Sequence, residues 1–155
     1  MASNLRSVIT NLISTIQQAD ATGVYTYDLS ATDSVKIGGD WPPKVLPCVY
    51  IYPVTISSEH GTTHTAYERT VNFAILCFVG ADEMTVQARI LNAADLVSDV
   101  LSALELKANR SLGGTVRDVI TTAATIEDTE GQLDGPGLGV GQFTLSANYV
   151  LERGI

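Results

Sequence analysis

Near the start of the chain, Leu5, Val8, Ile9, Leu12, Ile13, Ile16 and Ala19 recur at helical spacing, with Arg6, Asn11, Gln17 and Gln18 opposite. The stripe predicts a helix over 4–19, with Ser3 as N-cap and Gly23 closing the segment. Its polar face lacks the basic residues of a membrane-surface helix, so packing on a sheet is expected. Residues 24–28 read as a short strand. A loop rich in Ser, Thr, Asp, Gly and Pro follows over 29–44, with Gly39 and Trp41 inside it.

The period then changes to two. Residues 46–56 are strongly β-forming, and 67–79 carry Tyr67, Val71, Phe73, Ile75, Cys77 and Val79 on one face, interrupted by Arg69. The opposite face turns apolar at Ala74, Leu76 and Phe78, which predicts cover on both sides at that end. A helix is expected over 82–107, opened by Asp82 and Glu83, with Val86, Ile90, Ala93, Ala94, Val97, Leu101 and Leu104 as its buried stripe. Lys107 and Arg110 would suit its C-terminal dipole.

A strand over 115–127 should turn Val116, Ile120, Ala124 and Ile126 to one side. After the glycine-rich stretch 131–141, a last strand over 140–152 alternates Phe143, Leu145, Ala147, Tyr149 and Leu151 with polar residues. This order predicts a single α+β domain: a mainly antiparallel sheet of about four strands, with the N-terminal helix and a long crossover helix packed on one face.

Pro47 and Pro53 share parity in the strand 46–56, so their missing N–H groups point to one side. That marks an edge of the protomer's sheet, where an unpaired strand either aggregates or docks another subunit. The loops 29–44 and 131–141 join it as contact candidates, giving an interface set of Gly39, Trp41, Pro47, Pro53, Asp134, Gly135 and Gly137.

Composition narrows the function. The chain has 155 residues, enough for one domain that buries roughly two-thirds of its unfolded surface. Charged residues make up only 17%, against an average of about 25%, which points to surface buried in an assembly. The net charge is −8, and the bases from Arg6 to Arg153 never cluster, so nucleic-acid binding is not expected. An acidic balance instead repels DNA. No run approaches the ~18 apolar residues of a membrane helix, and Met-Ala-Ser-Asn-Leu-Arg has no signal-peptide pattern.

Candidate chemistry is sparse. His60 and His64 flank Gly61-Thr62-Thr63 in a loop, and a metal would need a further acid such as Glu59, so no metal is expected. Gly137-Leu138-Gly139-Val140-Gly141 joins strands and lacks Gly-Lys-Ser/Thr, so it reads as a hairpin or subunit-contact loop and not as a phosphate loop. There is no Gly-x-Ser-x-Gly elbow, and Asp95 and Asp99 read as a solvated helix face. Cys48 and Cys77 read as buried thiols, with a disulfide open if their strands pair closely. No catalytic residue and no cofactor follow from this sequence.

The element order carries a resemblance. An amphipathic helix precedes Leu46-Pro47-Cys48-Val49-Tyr50-Ile51-Tyr52, then Tyr67-Glu68-Arg69-Thr70-Val71-Asn72-Phe73-Ala74-Ile75, a long helix, Leu112-Gly113-Gly114-Thr115-Val116-Arg117-Asp118, and a final strand ending Tyr149-Val150-Leu151. Over residues 3–153 this resembles the tail terminator (tail completion) proteins of long-tailed bacteriophages and related head-tail joining proteins. The resemblance implies a small α+β protomer without catalytic residues. Six copies would form a homo-hexamer ring that caps the tail tube, halts its growth and offers a surface for head joining. It also implies a tail tube protein and a head-completion or connector protein as partners, DNA passing through without specific binding, and a place at the head-proximal end of the virion tail after assembly in the host cytoplasm. The alternatives are a tail tube or other connector subunit, or a small dimeric ligand-binding domain or enzyme, which would need a deep pocket with converging polar groups.

Overall fold

A computed structural model describes residues 5–39, 43–60, 66–80, 85–129 and 137–152. The elements run α1 (Leu5–Ile16), β1 (Val35–Ile37), β2 (Cys48–His60), β3 (Ala66–Val79), α2 (Val86–Glu105), a 3-10 turn (Lys107–Asn109), β4 (Asp118–Thr121), β5 (Thr125–Asp128) and β6 (Gly139–Glu152). The architecture is the expected α+β domain, with both helices on one face of a mainly antiparallel sheet. The sheet has six strands, where about four were expected, in the order β1-β2-β3-β6-β4 with β5 also on β6. Two departures account for this. The loop 29–44 contributes β1, which pairs parallel to β2, and the strand expected over 115–127 breaks into β4 and β5.

Alternation works as expected on β3 and β6. Val71, Phe73, Ile75 and Cys77 face Ala147, Leu145, Phe143 and Gly141, and all point toward the helices. Val8, Leu12 and Ile16 of α1 pack into this core. The residues expected as a strand over 24–28 form instead a loop with one isolated bridge, Asp20 to Asp28.

Helix α2 starts at Val86, capped by the Thr85 hydroxyl, which accepts a hydrogen bond from Ala88 N–H at 3.1 Å. Asp82 and Glu83 lie outside the described residues. The helix ends at Glu105 with no base in its last turn, and Arg110 goes to Asp118, so the expected dipole pairing is absent. Its buried stripe is also rotated. Arg89, Ala93, Leu96, Val97, Asp99, Val100, Ala103 and Leu104 face inward, while Val86 and Ile90 are exposed.

The rotation follows from two charges that find partners inside. Arg89 Nε donates to Asp128 Oδ2 at 2.5 Å, with side chains only 4% and 7% exposed. Asp99 accepts from Thr26 N–H (3.0 and 2.9 Å to its two oxygens) and from Tyr27 N–H (2.7 Å), fastening the loop after α1 to the helix. Asp99 is therefore a buried structural carboxylate and not part of a solvated face. Burial, then the charges of Asp95 and Asp99, push the nearby Tyr27 phenol above its ordinary pKa.

Below α2, Gly139 and Gly141 are strand residues of β6. A Cβ at Gly139 would stand 2.3 Å from Arg89 O, and one at Gly141 would stand 2.1 Å from Val97 Cγ2. Only glycine lets helix and strand come this close. On the reverse face, Cys48, Tyr50, Phe78 and Leu138 form a second, small cluster. That is the two-sided cover expected at the end of β3.

Candidate functional site

The parity of Pro53 finds its meaning in β2. Val49 N–H donates to Ser34 O (2.7 Å) and Ile51 O accepts from Gly38 N–H (2.9 Å), so odd-numbered residues here turn their backbone groups outward to β1. β1 ends opposite Ile51, and Pro53 faces the same outer side with no N–H to offer. Among the described residues the edge expectation therefore holds from Tyr52 onward. It fails at Cys48–Ile51, which β1 covers.

Val54 is an extra residue in the ladder, because Pro53 faces Phe73 while Thr55 faces Asn72. Val54 is 62% exposed, and Tyr52 and Ile56 are exposed with it. Thr55 Oγ1 accepts from Asn72 Nδ2 (2.7 Å), and Ser58 Oγ accepts from Arg69 Nε (3.2 Å), which tie the strand inward. No charged residue occurs between Val45 and Ser58. Soluble monomers usually protect such an edge with lysine or by covering it.

The opposite end of the sheet is also open. β4 and β5 each pair with β6 on one side only among the described residues. Between them Thr122 keeps the ladder going: its N–H donates to Thr144 O and its Oγ1 accepts from Thr144 N–H, both at 2.9 Å. The expected facing is corrected here. Val116 lies in the turn before β4, so parity does not carry through it; Val119 is buried and Ile120 is 67% exposed. Arg110 grips Asp118 through two bonds (3.0 and 2.8 Å), which hold that carboxyl below its ordinary pKa.

Beyond the small apolar cluster around Tyr50 and Phe78, the sheet face away from the helices is polar. Ser146 Oγ donates to Asn72 Oδ1 (2.5 Å), Asn148 Nδ2 donates to Thr70 Oγ1 (3.3 Å), and Arg117 pairs with Glu68 (3.4 Å).

The expected interface residues separate. Pro53 lies on the open edge, and Pro47 lies just before β2. Gly39 abuts the Tyr50 ring, where an added Cβ would meet ring carbons at 2.3 Å. Gly137 is half-buried and packs on Arg89, whose Cζ would stand 2.8 Å from an added Cβ. Trp41, Asp134 and Gly135 lie outside the described residues. The open β4–β5 edge had no sequence signal, because which strands end up outermost depends on strand order.

The chemistry at hand is limited. Cys48 and Cys77 are both free and buried. Val49 is the residue opposite Cys77, so neighbouring Cys48 points to the reverse face, away from Cys77, and the two cannot bridge. His60 closes β2, while His64 lies outside the described residues; among the described residues no group of three potential metal ligands gathers. A cleft of about 320 Å³ lies among Leu104, Glu105, Arg110, Val119, Ile120 and Thr121, its guanidinium already engaged by Asp118. Among the described residues no helix is long and apolar enough to cross a membrane. Compared with protein-family models and with curated proteins, the chain matches none.

Proposed function

We propose that the chain is a structural virion protein: a tail terminator whose ring of six copies caps the tail tube, ends its polymerisation and presents a surface for head joining. The observation that carries this reading is the β2 edge, open from Tyr52 onward among the described residues and uncharged as far as Ser58, with Tyr52, Val54 and Ile56 exposed. Such an edge is covered by a partner or aggregates. A low charged fraction, a net charge of −8 and the resemblance in element order support the same reading. On it, the tube protein and a head-completion protein meet the two rims of the ring, and DNA passes through an acidic or neutral bore without specific binding.

The test is assembly. The pure chain, alone and mixed with tail tubes, is weighed by native mass spectrometry and imaged by electron microscopy. Discrete rings, or monomers that become rings on tube ends, are expected. Long tubes from the pure chain would make it a tube subunit. A compact dimer indifferent to tube ends would overturn the terminator reading.

A further inference from the structure

The short strands β4 and β5 both lie on β6, and they are fastened in different ways. β4 sinks Val119 into the core, and its ion pair, Arg110 with Asp118, is 53% and 44% exposed. β5 sinks no apolar side chain. Thr125, Ile126 and Glu127 are exposed, and only the Asp128 side chain is buried, against Arg89. Before β5 the ladder to β6 lapses at Ala123 and Ala124, between the Thr122–Thr144 and Thr125–Gln142 pairs. After it, Thr129 N–H donates to Leu138 O and Thr129 Oγ1 accepts from Leu138 N–H, both at 2.9 Å. Among the described residues nothing pairs with the outer side of β5. We propose that Arg89 and Asp128 form a latch: β5 opens from β6 as one unit, with the Thr129–Leu138 clasp, while the rest of the domain stays folded. The inference does not depend on what the chain assembles into.

The chemistry of the fastening carries it. An apolar anchor resists opening because its surface must be hydrated. A buried ion pair has the opposite balance, since both ions regain on opening the hydration they lost on burial. Their attraction also fades as water enters and the local dielectric rises. A pair that has lost its contact but not its burial is therefore worse than either end state, which makes two states and not a gradual fray. Glycines leave room for the shut position: an added Cβ would stand 2.8 Å from Arg89 Cζ at Gly137 and 3.3 Å from Arg89 Cδ at Gly80. Opening uncovers little beyond the backbone of Leu138, Val140 and Gln142, which parity with Thr144 turns toward this side. β6 stays paired with β3 along its other side, through Phe73 and Leu145 among others. The sheet thus has a margin whose covered length changes with the state of one ion pair.

Hydrogen exchange of the full-length chain, read residue by residue by NMR, tests this. The Thr129, Leu138, Val140 and Gln142 amides should share one opening, at least about 100-fold more frequent than that of the Phe73 and Leu145 amides. Urea below the unfolding transition should hardly change the shared opening, because little surface is exposed, and should speed that of the core. Arg89→Met with Asp128→Val puts an apolar anchor in the same place. It should slow the β5 group at least about tenfold relative to Phe73 and Leu145. A pair that merely props the fold predicts equal protection of all these amides in the parent, and that result would overturn the inference. Amides of the β5 group that open separately would do the same. So would a double variant that does not fold, or one in which the group exchanges as fast as before or faster.

Discussion

Removing Asp128 while leaving Arg89 in place should be among the most damaging single changes in this domain. The two side chains are 4% and 7% exposed, and the pair is held by contacts of 2.5 and 3.3 Å. Asp128→Ala removes the carboxylate from a guanidinium buried beneath α2, against Gly137 and close to the strand residues of β6. Breaking one side of a buried pair costs about 3–5 kcal/mol, a large share of the ~5–15 kcal/mol that holds a domain together. With a urea slope of about 2 kcal/mol per molar, the unfolding midpoint should fall by roughly 2 M. The double replacement Arg89→Met with Asp128→Val removes both charges and should recover stability to within ~1 kcal/mol of the parent or above it. Far-UV circular dichroism melts in urea, repeated at high salt, measure both, and salt should hardly alter the loss because the pair is shielded from screening. A cost for Asp128→Ala below ~1 kcal/mol, or a double variant no better than the single, would refute the reasoning.

Phe73→Ala should cost about 3–5 kcal/mol because Phe73 is fully buried, whereas Ile90→Ala should cost less than ~1 kcal/mol because Ile90 is 38% exposed; paired denaturant melts separate them. Gly139→Ala places a methyl against Arg89 O and should destabilise by about 1–3 kcal/mol in the same assay. Burial pushes the Cys48 thiol up from 9.0 to about 11, and Cys77 further in the same direction. The unfolded chain therefore ionises first: the thiols' contribution is complete below pH 9 and is lost as pH rises toward 11, by up to ~1.4 kcal/mol per unit for each. A variant with both Cys48→Ala and Cys77→Ala should show a flatter alkaline stability profile, and an unchanged profile would refute the assignment.

Some of this structure was legible in the sequence, for a plain reason. α1, β3 and β6 have one buried face and one polar face, so burial and periodicity coincide. α2 breaks that link, because Arg89 and Asp99 are buried with partners more than thirty residues away in sequence, Asp128 and the Thr26–Tyr27 amides. A reading that turns charges outward then rotates the whole stripe by about one position. β1 spans only Val35–Ile37, too short for any period to show, and exists because Ser34 and Gly38 bond to β2. Of the candidate surface, Pro53 announced its edge through parity. The β4–β5 edge is a property of topology and no residue pattern announces it.

The helix-facing side of β6 has a slope whose effect reaches beyond local packing. From Gly139 and Gly141 it climbs through Phe143 and Leu145, dips at Ala147 and ends at Tyr149. α2 rests its Arg89–Val97 half in the empty part of this profile. Sliding the helix by one turn, about 5.4 Å, would push its backbone from the glycines onto the Phe143 ring. The two absent side chains therefore act as a keyway: they set how far along the strand the helix sits. Through that they fix the position of the loop that Asp99 carries.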